Sequence, residues 1–205
     1  MREVSFLDKN FIVFREVYEP SDDSFMLAEA IKSVVSRDFE LSLDVGCGCG
    51  ILTLFLSEKS RFVVAVDVNP IAARNAELNV SRGGVKHKVQ VLVGNLLSPF
   101  KSKPIFDLIV FNPPYLPEDE YDSLVSEKVK AAWSGGRDGR RVIDAFLSTF
   151  HQVLKPGGIL MLVQSSLSNC DLTLRRLEDL GFEVEVVSVK HFFYESLYVI
   201  KAVKR

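Results

Sequence analysis

Asn112, Pro113, Pro114 and Tyr115 end an apolar run, Phe106-Asp-Leu-Ile-Val-Phe111. An asparagine side chain carries an acceptor oxygen beside a donor nitrogen. Two prolines fix φ and donate nothing, so the carbonyls around them keep one direction. Such a turn can hold a planar NH2 group by both of its N–H bonds, one to the Asn112 side-chain oxygen and one to the Pro113 carbonyl. Tyr115 adds a flat ring on which an amide or a base can stack. Asn-Pro at a strand end is also a common turn signal, and a tyrosine there can simply cover the core. Taken alone, the four residues fit either reading.

A second group of residues bears on the choice. In "LDVGCGCGILTLFL", Gly46, Gly48 and Gly50 lie between an apolar strand and a helical pattern. Glycines there let the chain turn tightly and let a ligand approach without meeting a Cβ. A dinucleotide fingerprint requires glycine or alanine at position 51, and Ile51 stands there. Asp67 ends the next apolar run, "FVVAVD". Its carboxylate can accept two hydrogen bonds from ribose hydroxyls, or it can cap the helix opened by Asn69-Pro70. Glycine loop and aspartate, in this order on the first two strands of the alternating pattern, favour nucleoside binding.

Other chemistries find less support. His87, His151 and His191 do not cluster, and Cys47 and Cys49 stand one residue apart, unsuited to a disulfide or a zinc hook. No metal is expected, and the three cysteines read as reduced thiols. A net charge of −2 with both signs dispersed is no footprint for direct nucleic-acid binding. No apolar run is long enough to cross a bilayer, and the first twenty residues lack a signal-peptide pattern, so a cytoplasmic location is expected.

The elements that must position these residues follow from periodicity. Pro20 and Ser21 open a helix with Asp22 and Asp23 in its first turn and Phe25, Ala28, Ile31 and Val35 on one face. Strands are expected at 41–46, 62–67, 88–94, 106–111 and 159–164, with helices between them. One long helix is expected from Asp138 to Leu154, stopped by "KPGG", and another from Ser168 to Leu180. A short helix is expected near Leu124 to Ala132. "FEVEVVSV" and "LYVIKAVK" are joined too briefly for a parallel crossover. The expected fold is α/β and Rossmann-like: seven strands, mostly parallel, one antiparallel near the C-terminus, helices on both faces. Residues 1–205 are expected to form one domain, with 1–36 as an N-terminal segment and helix and 37–205 as the core.

With these residues in place, the sequence resembles class I S-adenosylmethionine-dependent methyltransferases, and within them the HemK-like glutamine methyltransferases of translation release factors. Asp44-Val-Gly-Cys-Gly-Cys-Gly50, Asp67-Val-Asn-Pro70 and Asn112-Pro-Pro-Tyr115 carry the likeness. "VYEPSDDSFML" (17–27) and "AAWSGGRDGRRVIDAF" (131–146) resemble the short eukaryotic and archaeal branch. The resemblance implies that Ser24 and Asp44 sit at the methionine end of the cofactor, with Gly46, Cys47 and Gly48 under it. It implies Asp67 and Val68 at the ribose and Asn95 and Leu96 at the adenine, where an aspartate is usual. Asn112, which lines the cofactor as well, then acts with Pro113, Pro114 and Tyr115 on the substrate.

The implied reaction is N5-methylation of the glutamine in the Gly-Gly-Gln loop of a class I release factor. The alternatives are N-methylation of a nucleobase in DNA or RNA, methylation of a protein lysine, and a cofactor-binding scaffold without activity. Longer bacterial relatives carry an additional N-terminal helical domain. Here about twenty residues precede the first helix, so substrate recognition is expected to use loops or a second protein. The resemblance implies a small zinc-binding activator subunit forming a heterodimer, and the strand with Val89, Val91 and Val93 is an edge able to pair with it. Trp133 is expected in a mixed role, as a substrate-site wall and as the anchor of a loop over the core, with Gly135-Gly136 as a mobile hinge, and Arg137, Arg140 and Arg141 as a solvated helix start.

Overall fold

A computed structural model describes residues 1–34, 38–118 and 133–205. Val35 and the helix expected near Leu124 to Ala132 lie outside the described residues. Two strands, β1 (Arg2–Phe6) and β2 (Lys9–Val13), form an antiparallel hairpin. Helix α1 (Asp22–Val34) follows, with both aspartates in its first turn. The chain then alternates: β3 (Phe39–Val45), α2 (Ile51–Lys59), β4 (Ser60–Asp67), α3 (Pro70–Arg82), β5 (Val89–Val93) and β6 (Phe106–Phe111). It continues with α4 (Arg141–Leu147), β7 (Leu154–Ser165), α5 (Cys170–Asp179), β8 (Phe182–His191) and β9 (Ser196–Lys204).

The sheet order is β5-β4-β3-β6-β7-β9-β8. β9 runs antiparallel to both neighbours and the other pairs are parallel, as the short last connection requires. β3, β6 and β7 are central, so their side chains are buried on both faces; Leu43, Leu108, Ile109 and Leu160 are fully enclosed. From β3 the chain steps outward to β4 and β5, and from β6 it steps the other way to β7. Right-handed crossovers therefore place α2 and α3 on one face and α4 on the other. This reversal between β3 and β6 opens a crevice at their carboxyl ends, where Gly46 and Asn112 emerge.

Two expectations change. The helix expected over Asp138 to Leu154 spans only Arg141–Leu147. It stops because the Ser148 and Thr149 hydroxyls donate to carbonyls of the preceding turn, Ala145 and Phe146. A 3₁₀ turn, Phe150–Gln152, follows and stacks Phe150 on Phe146 at 5.2 Å between ring centroids. Lys155-Pro-Gly-Gly158 does not stop a helix. It lies inside β7, where pairing with β6 shifts register between Phe106/Leu154 and Leu108/Ile159.

The leading hairpin is bound to the body by amide side chains. Asn79 Oδ1 accepts from Ile12 N at 2.9 Å and Asn75 Oδ1 from Phe14 N at 2.8 Å, while both Nδ2 groups donate to the Ile12 carbonyl. Asn79 Nδ2 also donates to the Cys49 carbonyl at 2.8 Å, so one buried side chain ties β2 to the glycine loop.

Candidate active site

A cleft of about 250 Å³ opens at the carboxyl ends of β3, β4, β5 and β6. It brings together Ser24, Gly46, Cys47, Gly48, Asp67, Val68, Asn95, Leu96, Asn112, Pro113, Pro114 and Tyr115, all of which line it directly. Asp44 does not line it and lies fully buried beneath, one residue before the end of β3. These residues arrive on different strand ends and loops, and the sheet's reversal point makes them neighbours.

The glycine loop is shaped by its backbone. Gly46 and Cys47 N–H groups both donate to the Val66 carbonyl, at 2.8 and 3.1 Å. Gly48 has φ +54 with nothing within 4 Å of a built Cβ, so its face toward the cleft is open. Gly50 has φ +86 and a Cβ there would meet Ala76 at 3.1 Å, so close packing of α2 on α3 requires glycine.

Asp67 braces this loop. Its Oδ2 accepts from Gly48 N at 2.9 Å and its Oδ1 from Asn69 N at 2.8 Å. Burial pushes its carboxyl up from the ordinary range while these two bonds pull it back. The cap of α3 is Asn69, whose Oδ1 accepts from Ile71 N at 2.9 Å, and not Asp67. The carboxylate borders the cleft with further lone pairs available to a diol.

Asp44 carries a different charge problem. Thr53 Oγ1 donates to its Oδ2 at 2.5 Å, whereas Oδ1 is buried with no partner. Burial raises its carboxyl to about 7, with the Asp67 charge adding to the rise and the Thr53 bond opposing it. A buried carboxylate with an open oxygen suits a cationic ligand group. The thiols are not reactive partners: burial pushes Cys49 up to about 12, and burial with the Asp44 and Asp67 charges pushes Cys47 well above its ordinary value.

At the other wall, Asn112 Nδ2 donates to Ser24 Oγ at 3.2 Å, and Ser24 Oγ donates on to Asp23 Oδ1 at 3.1 Å. With its nitrogen engaged, the Asn112 oxygen is fixed in direction; it is buried and has no partner. Leaving a buried acceptor unpaired costs about 1–3 kcal/mol, which an incoming N–H recovers. Tyr115 packs its ring in the wall, and its hydroxyl donates to Asp23 Oδ2 at 3.1 Å. The Tyr18 hydroxyl donates to the same oxygen at 3.0 Å. Burial and the Asp23 charge raise both phenols far above their ordinary range, so both are hydrogen-bond donors and not bases.

Asp23 thus joins α1 to both Asn112 and Tyr115, a role that its helical first-turn position did not reveal. Thr53 and Tyr18 were likewise not singled out from the sequence. An aspartate beside a serine at a helix start carries no burial signal; only the packing of α1 against the β6 loop shows it.

The 133–140 loop closes the cleft differently from expectation. Leu116 N donates to the Trp133 carbonyl and Gly135 N to the Leu116 carbonyl, at 3.0 and 2.9 Å. A Cβ on Gly135 would lie 2.3 Å from the Gly139 oxygen, and one on Gly139 2.3 Å from the Tyr115 oxygen. Gly135 and Gly139 serve close backbone approach. Arg140, expected in solvent, is 4% exposed. Its guanidinium donates to the Ser168 and Asn169 carbonyls at 2.6 and 2.7 Å and to Asp144 Oδ1 at 2.8 Å. Arg137 and Arg141 are exposed as expected, Arg141 at the cleft mouth. Among the described residues, no three His, Cys, Asp or Glu side chains gather as a metal site would need.

Fold and site together are those of an α/β protein with a cleft at the sheet's switch point, bordered by a glycine loop, Asp67 and the Asn112 amide. The chain belongs to the methyltransferase small domain family, whose sequence profile matches residues 22–134. It is similar to a provisionally named protein N5-glutamine methyltransferase of Methanocaldococcus jannaschii, 35% identical over 188 residues covering 91% of each chain. It is similar to the methyltransferase HEMK2 of Mus musculus, 33% identical over 198 residues covering 92% of this chain and 90% of that one. Among solved structures it resembles a chain of the E. cuniculi Mtq2–Trm112 complex responsible for methylation of the eRF1 translation termination factor. That match has a TM-score of 0.69 at 26% identity and covers 93% of this chain and 99% of the other.

Proposed function

We propose that this protein is an S-adenosylmethionine-dependent N5-methyltransferase of the glutamine in the Gly-Gly-Gln loop of a class I release factor. The observation that carries this reading is the Asn112 amide: nitrogen engaged by Ser24, oxygen buried, unpartnered and beside the cleft. The names of the M. jannaschii and E. cuniculi relatives support glutamine and release factor as the acceptor.

The cofactor fits the residues present. Asp44, buried beneath the cleft, favours the ammonium of its methionine part through its charge, with Ser24, Gly46, Cys47 and Gly48 lining that end. Asp67, with Val68 beside it, takes the ribose diol. Asn95 and Leu96 wall the adenine end, Asn95 accepting from the exocyclic amine without charge assistance. Bound there, S-adenosylmethionine supplies an activated methyl group on a sulfonium sulfur.

A glutamine nitrogen is a poor nucleophile because its lone pair is delocalised into the carbonyl. Asn112 Oδ1 accepts one of its N–H bonds and the Pro113 carbonyl the other, aiming the nitrogen and stabilising the positive charge that grows on it. Pro113 and Pro114 keep the carbonyls pointed inward, and Tyr115, pinned by Asp23, backs the amide plane. With the cofactor bound, the nitrogen would take the methyl as the sulfonium S–C bond breaks, leaving a neutral thioether, and would shed a proton to water while Asn112 and Pro113 hold it in place. No strong base is required.

The NPPY turn is therefore the substrate clamp, and the enzyme works in the cytoplasm where translation ends. A small activator subunit, zinc-binding as the family resemblance implies, pairs with the edge strand β5, whose Val93 is 58% exposed. Asn112→Ala tests the clamp: methyl transfer to release factor falls about 10²–10³-fold, as for loss of one preorganised charge-stabilising group. An unchanged rate removes the mechanism.

A further inference from the structure

The β8–β9 turn carries Phe192, Phe193 and Tyr194, and nothing in the chemistry above uses them. Phe193 is 90% exposed and Tyr194 86%. Single exposed apolar side chains are ordinary, but two adjacent aromatics this open are not. They are also in contact with one another and with their turn. Phe192 N donates to the Glu195 carbonyl at 2.8 Å, closing the turn, and the Phe193 and Tyr194 rings meet edge to face with centroids 4.6 Å apart.

Topology sets where this tip stands. β9 is antiparallel to β7 and β8, so β8 points the same way as β7 and ends beside its carboxyl end, the end of the sheet that holds the cleft. Ser165, the last residue of β7, donates its hydroxyl to Glu195 Oε2 at 2.5 Å, and Ser196 N donates to Ser166 Oγ at 3.0 Å. Lys190 pairs with Asp22 at 2.7 Å, on the turn of α1 that carries Asp23 and Ser24. The Glu195 charge reaches the Tyr18 and Tyr115 phenols. Leu167, 46% exposed, extends the apolar surface next to Ser166.

We propose that this aromatic tip is a docking site for the folded protein substrate, inserting into an apolar recess beside the loop that presents the glutamine. The inference rests on the protein-substrate reading above. A cleft of about 250 Å³ admits small groups only, whereas a specific protein interface covers on the order of 800 Å² on each partner. A protein sending a loop into the cleft must lay its surface over the rim, and the tip is on the rim. Rigid aromatic anchors are the residues that carry such interfaces. The flanking charges, Lys190 and Glu195, are already engaged within the chain, so recognition here is apolar and insensitive to salt.

The test is steady-state methylation by wild type and by the Phe193→Ala/Tyr194→Ala variant, each purified with its activator subunit, on full-length release factor and on a short Gly-Gly-Gln peptide. The expected result is a KM for release factor raised tenfold or more at low and high salt alike. kcat, S-adenosylmethionine affinity and activity on the peptide stay unchanged. A variant matching an active wild type on release factor overturns this inference alone, as does an equal loss on the peptide. Sedimentation showing that the substitutions dissociate a dimer assigns the tip to a second copy and also overturns it. A wild type inactive on release factor overturns the functional reading and this inference with it.

Discussion

Asp44→Asn probes the cofactor end through protons as well as through affinity. The Asp44 carboxyl, raised to about 7 by burial, attracts an ammonium in the cleft above it only when ionised. Its ionised share rises from about one-tenth at pH 6 to about nine-tenths at pH 8, so S-adenosylmethionine should bind about tenfold more tightly at pH 8. Titration calorimetry in buffers of different ionisation enthalpy should show proton release on binding near pH 6, fading by pH 8. The neutral amide of the variant loses that attraction through the cleft floor, about 1.4 kcal/mol, weakening binding about tenfold at pH 8, and flattens the pH dependence. Cofactor-free stability carries the opposite sign. The unfolded carboxyl ionises near 3.8 and the folded one near 7, so the folded state holds the extra proton between them. Stability therefore falls as pH rises through that window, by up to about 4 kcal/mol above pH 7. The variant should melt higher than wild type above pH 7, and the gap should close below pH 4. Affinity that is level from pH 6 to pH 8, or a pH dependence that survives in the variant, would refute the role given to Asp44.

Two other substitutions separate orientation from packing. Ser24→Ala frees the Asn112 amide to rotate; loss of one neutral hydrogen bond of about 1 kcal/mol lowers kcat roughly fivefold, and Ser24→Thr restores it. Arg140→Met removes the bonds to the Ser168 and Asn169 carbonyls and to Asp144, while Gln164 still donates to the Ser168 carbonyl and Arg176 to Asp144; at about 1–3 kcal/mol the melting midpoint should drop on the order of 5 °C. Arg137→Ala should leave the midpoint within about a degree or two by the same scan.

Periodicity revealed most of the sheet because central parallel strands are apolar throughout, and β6 matches its expected 106–111 bounds. The glycines, Asp67 and the NPPY turn were legible as cleft-lining residues because their order on successive strands of the alternating pattern puts them at neighbouring strand ends. The length of α4 was not: Ser148 and Thr149 end it through bonds to its own last carbonyls, and these residues also occur inside helices. Burial of charge was equally hidden. Arg140 and Arg141 are adjacent and alike in sequence, yet one fills a pocket between α4 and the Ser168 turn while the other meets solvent. Asp22 and Asp23 divide the same way: Asp22 pairs at the surface with Lys190, and Asp23 is buried among two tyrosines and two serines. Which member of such a pair turns inward depends on partners far along the chain.

Tandem mass spectrometry of a class I release factor incubated with this enzyme, the proposed activator subunit and S-adenosylmethionine tests the central claim most directly. The account predicts one methyl group on the side-chain nitrogen of the Gly-Gly-Gln glutamine, lost with Asn112→Ala. A methyl group on a lysine, or label found only in nucleic acid, would contradict it.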